Sequence, residues 1–174
     1  MSMNIKLKYQ KYLCLAVIGF CLGFWSGQAH AIQEDKPMDV HCLAQNIYFE
    51  SGNQPLVGKI AVANVVLNRV ADKKFPDTIC GVVYQTKSWR TSWTGKKIPN
   101  YGQCQFSWFC DGKSDKPKDS KTWAKCLMIA NDVIDGKYFD VTEGAMWYHT
   151  DYVNPYWNQH LNETVRVSDH IFYR

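Results

Sequence analysis

The chain has 174 residues, 20 basic and 16 acidic, with a formal charge of +4 and 14% aromatic residues. That length fits one domain. Three of the basic residues, Lys6, Lys8 and Lys11, lie in the first 31 positions, so the remainder carries 17 basic against 16 acidic residues, about neutral. A nearly neutral folded part argues against nucleic-acid binding, which needs a basic excess.

Residues 1–31 read as a Sec signal peptide. The three lysines form a positive start, residues 12–25 an apolar run, and Ala29-His30-Ala31 an A-x-A cleavage site. The run is 14 residues long, short of the roughly 20 that span a bilayer. The expectation is an exported protein, in the periplasm, wall or medium, without a stable membrane span and monomeric. Residues 32–174 would form its catalytic domain.

Asp39 is the expected N-cap of a first helix, in which Val40, Leu43, Ile47 and then Phe49 or Glu50 recur at helical spacing. Ser51-Gly52-Asn53-Gln54-Pro55 ends it, with Gly52 suited to a left-handed cap and Pro55 to the start of the next helix. Residues 56–70 are predicted as a second helix. Leu56, Ile60, Ala63, Leu67 and Val70 form a stripe that Ala61, Val62, Val65 and Val66 widen, so this helix is expected to be central. Asn64, Asn68 and Arg69 are its polar exceptions. A short helix over 78–85 follows. Residues 86–112 show no sustained period, and the aromatics among them argue against disorder. Residues 120–134 are predicted helical, capped by Asp119 or Ser120 and ended by Gly136. Residues 145–150, 164–168 and 171–173 read as strands. Helices followed by a small sheet make the fold class α+β.

Five cysteines lie beyond the signal: Cys42, Cys80, Cys104, Cys110 and Cys126. Export favours disulfides. The odd count leaves one thiol over, and Cys126, in an apolar helical stretch, is the candidate. The other four allow three pairings. Neither His41-Cys42 nor Cys104-x5-Cys110 has zinc-knuckle spacing, so no metal or cofactor is expected.

Glu50 stands where an apolar helical face meets a glycine turn. A carboxyl held against Tyr48 and Phe49 is desolvated, which raises its pKa and keeps a proton for general-acid work on a glycosidic bond. The plain alternative is a solvated glutamate at a helix end.

The segments Cys42-Leu-Ala-Gln-Asn-Ile-Tyr-Phe-Glu50, Gly58-Lys-Ile-Ala-Val-Ala-Asn-Val-Val-Leu-Asn-Arg-Val70 and Phe75-Pro-Asp-Thr-Ile-Cys-Gly-Val-Val-Tyr-Gln85 resemble the SleB/CwlJ family of cell-wall hydrolases. So do Cys104-Gln-Phe-Ser-Trp108, Cys110-Asp-Gly112, Gly144-Ala-Met-Trp-Tyr-His149, Pro155-Tyr-Trp157 and His170-Ile-Phe-Tyr-Arg174. The resemblance implies a lysozyme-like fold, a helical lobe and a small sheet with a cleft between them. It implies cleavage of peptidoglycan glycan strands, with Glu50 as the catalytic acid. Where the family commonly reads Glu-Ala-Arg-Gly, this chain reads Glu50-Ser51-Gly52-Asn53, without the arginine. Where a glycine commonly precedes the last histidine, it reads Asp169-His170. Residues 89–100 look like an insertion.

Gln105, Ser107 and Trp108 are candidate sugar contacts, with Phe106 assigned to the core. Strand alternation lets only one of Tyr148 and His149 face the cleft; Tyr148 is chosen, its hydroxyl directed at acetamido groups, and His149 is read as structural. Asp111, Glu143, Asp151 and Glu163 are possible second carboxylates for a hydrolase. A lytic transglycosylase needs only one, because the muramic C6 hydroxyl attacks its own C1. That chemistry is the preferred reading. Its rivals are a two-carboxylate hydrolase, a non-catalytic wall-binding module and a Cys/His amidase.

Overall fold

The computed structural model describes residues 36–174; the expected signal peptide lies outside the described residues. Among the described residues four α-helices are followed by a small antiparallel sheet: α1 (Lys36–Ser51), α2 (Leu56–Ala71), α3 (Ile79–Val83) and α4 (Ser120–Ile134). Between α3 and α4 lie the paired strands β1 (Trp89–Thr91) and β2 (Lys97–Pro99), then a 3-10 turn, Ser107–Cys110. The sheet holds β3 (Trp147–Thr150), β4 (Glu163–Val167) and β5 (His170–Tyr173) in the order β3-β5-β4. The class is α+β, as the residue pattern predicts. Among the described residues no helix is long and apolar enough to cross a membrane.

α2 is apolar on nearly every side because it feeds two cores. Ile60, Ala63 and Val66 pack with Leu43 and Ile47 of α1, Val82 and Val83 of α3, and Ile129 and Val133 of α4. Ala61 and Val65, on the other flank, meet Ala145, Val167 and Phe172 of the sheet region. A helix buried between two layers has no room for a solvent face. The predicted stripe holds from Ile60 onward, while Leu56, in the first turn, is 50% exposed.

The polar exceptions on α2 hold the segment that leads into β3. Asn64 Oδ1 accepts from Val141 N at 3.2 Å, and Asn68 Nδ2 donates to Asp140 Oδ2 and to the Ala145 carbonyl, each at 3.0 Å. Arg69 Nε donates to the Met146 carbonyl at 2.8 Å. Buried polar groups need such partners. Here they also fix the position of Tyr148, two residues further on.

Several boundaries differ from the sequence reading. α1 begins at Lys36, so Asp39 lies inside its first turn rather than at its cap, where a negative charge still suits the helix dipole. Gly52 is not left-handed. Glycine is needed there because a Cβ would overlap the Tyr48 carbonyl oxygen, which also leaves no place for the family's arginine. α3 is shorter than its prediction, with Thr78 as N-cap accepting from Gly81 N. Residues 86–112 are not irregular throughout: they contain the β1–β2 hairpin. In the two-residue turn from β4 to β5, Ser168 takes the positive φ, 52°. Asp169 does not, so replacing the family's glycine at 169 imposes no backbone strain.

Disulfides join Cys42 to Cys80 and Cys104 to Cys110, and Cys126 is a buried free thiol, as read from its apolar surroundings. The first pair ties α1 to α3. The second ties the root of the hairpin to the 3-10 turn. No cluster that would hold a metal ion occurs among the described residues.

Candidate active site

The last residues of α1 supply three different side chains to one place. Tyr48 turns outward, and its hydroxyl accepts from the backbone N–H groups of Lys118 and Asp119, each at 3.0 Å. This fixes one end of the loop over residues 111–119. Gln45 fixes its middle, with Nε2 donating to the Asp115 carbonyl at 2.6 Å. Phe49 stacks on Trp108, with ring centroids 4.9 Å apart and planes at 19°. Glu50 then lies between this aromatic wall and the sheet.

Tyr148 of β3 donates to Glu50 Oε2 at 2.9 Å, bringing together residues 98 positions apart. The Tyr148 ring is clamped by His170 and Phe172, with centroids at 5.2 and 5.5 Å. Burial raises the pKa of Glu50 above its ordinary value, while the Tyr148 hydrogen bond and the charge of Arg69 oppose that rise. Burial is the largest influence, so the net direction is upward. The Tyr148 phenol is pushed well above its usual range by burial and by the neighbouring Glu50 charge. It therefore stays a donor. Arg69, almost wholly buried, is lowered by burial to about 10 and remains charged at neutral pH. It lies against the rings of Phe75 and Phe106, 5.4 and 5.1 Å from their centroids.

Glu50 borders two cavities. The larger, about 650 Å³, runs between the aromatic wall, the 111–119 loop and the edge of the sheet; Ser107, Trp108, Asp111, Asp115, Tyr148 and His149 are among its lining residues. The smaller, about 250 Å³, is lined by Glu50, Arg69, Gln105, Ser107, Trp147 and Trp157, with Phe106 and Tyr148. Glu50, Ser107 and Tyr148 line both cavities and so stand where the two meet.

The other sequence candidates are placed as follows. Ser107 borders both cavities, and Gln105 the smaller. Trp108 touches the larger but is 7% exposed, and its Nε1 donates to Asn46 Oδ1 at 3.1 Å. It is a wall of the cleft more than a free stacking face. Phe106 is core, at 3% exposure. The Tyr148 hydroxyl gives its proton to Glu50 Oε2, which leaves only its acceptor capacity for an acetamido group. His149 bonds Tyr173 Oη through Nε2 at 2.9 Å and stacks on that ring, a structural role, although it also borders the larger cavity.

Of the second-carboxylate candidates, Asp111 alone lines a cavity with Glu50. Glu163 pairs with Arg166 at 2.7 Å on the outer strand. Glu143 sits in a left-handed turn, with φ 56°. Sequence reasoning missed Asp115 and His170 as cleft residues. The 111–119 loop carried no signal beyond hydrophilicity, and its place depends on contacts to Tyr48 and Gln45, about 70 positions away.

A family model described as Cell Wall Hydrolase matches residues 53–173, beginning three residues after Glu50. The spore cortex-lytic enzyme of Halalkalibacterium halodurans is 27% identical over 135 residues, 77% of this chain and 34% of that protein. The spore cortex-lytic enzyme of Bacillus cereus is 40% identical over 50 residues, 29% of this chain and 19% of that protein. The chain thus spans about a third or less of the length of these relatives. The catalytic domain of the germination-specific lytic transglycosylase SleB from Bacillus anthracis aligns with a TM-score of 0.57 and 27% identity, over 78% of this chain and 93% of that one. The catalytic domain of Bacillus cereus SleB gives 0.55 and 26%, over 78% and 89%.

Proposed function

The chain belongs to the cell wall hydrolase family, and from that premise we propose that it is an exported enzyme, active as a monomer, that cuts peptidoglycan glycan strands between N-acetylmuramic acid and N-acetylglucosamine, with Glu50 as its acid. One observation carries the reading. A part-buried carboxyl whose pKa is raised accepts a single tyrosine hydrogen bond at the junction of two cavities.

Tyr148 holds Oε2, which leaves Oε1 to carry the proton into the cleft. Glu50 gives this proton to the glycosidic oxygen as the C1–O bond breaks. The carboxylate that remains is stabilised by the same tyrosine and by the charge of Arg69, which makes the acid a willing donor despite its burial. Glu50 then takes the proton of the muramic C6 hydroxyl as that oxygen bonds C1. A 1,6-anhydro end forms and Glu50 is restored. Proximity of the C6 hydroxyl replaces an activated water. Gln105 and Ser107 contribute polar contacts to the sugars, and Trp108 a wall.

The similarity to the catalytic domain of the lytic transglycosylase SleB supports this chemistry. A second reading is favoured by a specific observation: Asp111 and Asp115 share the larger cavity with Glu50, and either would activate water in a hydrolase. Mass spectrometry of fragments released from purified sacculi separates the two. The expected products carry 1,6-anhydromuramic ends, lighter by one water than reducing-end muramic acid. Reducing ends would reassign the second step to hydrolysis.

A further inference from the structure

The β1–β2 hairpin takes no part in the mechanism, yet its composition is unusual. Residues 86–103 contain Lys87, Arg90, Lys96 and Lys97 and no acidic residue, although the chain beyond the expected signal is close to neutral. None of the four pairs with a carboxylate among the described residues. The same segment exposes large aromatics: Trp93 at 98%, Tyr101 at 79% and Trp89 at 48%. A tryptophan with almost all its surface in water forfeits the main stabilisation its side chain offers.

This exposure is built by an ordered turn. Ser92 N donates to the Lys96 carbonyl at 2.8 Å, and Gly95, with φ 79°, donates to the Ser92 carbonyl at 2.9 Å. The Ser92 hydroxyl accepts from Lys96 N at 3.0 Å. Trp93 therefore stands on a closed tip. Cross-strand pairing sets Trp89 opposite Pro99 and Thr91 opposite Lys97, which places Trp89 and Lys97 on one face, around a shallow recess of about 320 Å³.

The root of the hairpin is continuous with the cleft wall. Lys87 N bonds the Gln103 carbonyl and Gln105 N the Gln85 carbonyl, each at 2.9 Å. The Cys104–Cys110 disulfide closes over the turn carrying Ser107 and Trp108. Trp89 packs edge-on against Phe109, 6.0 Å between centroids.

We infer that residues 86–103 form a second, non-catalytic binding arm for peptidoglycan, whose aromatic rings stack on pyranose faces while its lysines and arginine pair with the carboxylates of the peptides borne by neighbouring muramic acids. The inference rests on the glycan-cleaving reading of the cleft. Aromatic planes beside unpaired cations match a ligand that is both saccharide and polyanion. Attachment to the cleft wall favours the substrate polymer over a phospholipid surface, which would not require that continuity.

The test uses the full chain carrying Glu50→Gln, so that the wall is not digested, with and without Trp93→Ala, Lys96→Ser and Lys97→Ser. Co-sedimentation with purified sacculi should weaken about tenfold in the triple variant, as for loss of an aromatic and charged anchor. Binding of the parent should fall with added salt. Equal sedimentation of variant and parent would overturn the inference. So would unchanged sedimentation with sacculi combined with loss of binding to phosphatidylglycerol vesicles, which would make the arm a membrane contact. A native chain that releases no fragments, while the hairpin variant still loses sacculus binding, supports the arm and refutes the cleavage reading instead. Matching thermal unfolding of the two proteins excludes a folding defect.

Discussion

The Tyr48–Glu50 end of α1 and the β1–β2 hairpin both present aromatic and charged side chains, the first in the cleft and the second on an arm rooted in the segment that walls it. In the first, each group has an assigned partner: Tyr48 the 111–119 loop, Phe49 the Trp108 ring, Glu50 the Tyr148 hydroxyl. In the second, Trp93 is almost wholly exposed and four cations lack carboxylate partners among the described residues. Packing holds the Glu50 carboxyl against the Tyr148 hydroxyl and removes it from water, which raises its pKa. Exposure leaves the hairpin untuned and available to a partner. The two regions therefore should fail differently when altered, the first in turnover and folding, the second in binding.

The largest expected effect is at Glu50. Glu50→Gln keeps size but removes the transferable proton, and clearing of sacculi should fall by about 10²–10⁴-fold. The fold should survive. Because the folded pKa is raised, this group's contribution to stability is full below the ordinary value and is lost as pH rises through the folded value. The variant should therefore gain thermal stability over the native protein as pH increases from about 4 to 8, measurable by circular dichroism.

Removing the Cys42–Cys80 bridge, which spans 38 residues, should cost about 4 kcal/mol by chain entropy. Removing Cys104–Cys110, which spans 6, should cost about 2 kcal/mol. Denaturant unfolding of the paired Cys→Ser variants checks both. An equal cost would mean that the hairpin root is as central to folding as the α1–α3 junction.

Tyr148→Phe sharpens the comparison within the packed region. It deletes a hydrogen bond to the carboxyl that becomes charged, so turnover should drop by about 10–100-fold. It also removes an influence that lowers the Glu50 pKa, so the alkaline limb of the pH profile should move upward. A drop in rate without this movement would assign Tyr148 to packing alone. The smallest effect is at the hairpin tip: Trp93→Ala should alter unfolding free energy by no more than about 0.5 kcal/mol.

The first of these regions was legible in the sequence and the second was not, for physical reasons. A stripe such as Leu43 and Ile47, followed by Glu50 at the helix end, is a periodic signal over several turns. The strands of the hairpin are three residues each, too short for alternation to rise above chance, and its exposed side chains carry no burial pattern at all. Cys126 was readable as the spare thiol from its apolar helix. The Tyr148–Glu50 bond was not readable, since nothing local records a partner 98 residues away. Strand alternation predicted that only one of Tyr148 and His149 would face the cleft, and the phenol hydroxyl singled out Tyr148; both line the larger cavity. The helix start is not legible because Lys36 and Pro37 offer no apolar period, whereas Asp39 directly precedes the first apolar residue of the stripe, Val40.

The central claim is that burial at the end of an apolar helix keeps Glu50 protonated where it works. Titration of its side-chain carboxyl carbon by ¹³C NMR tests this directly when set beside the pH dependence of sacculus clearing. The carboxyl should titrate above the ordinary value of 4.5, and the alkaline loss of clearing should follow the same curve. A carboxyl that titrates at or below that value, or a clearing profile that ignores it, would contradict the account.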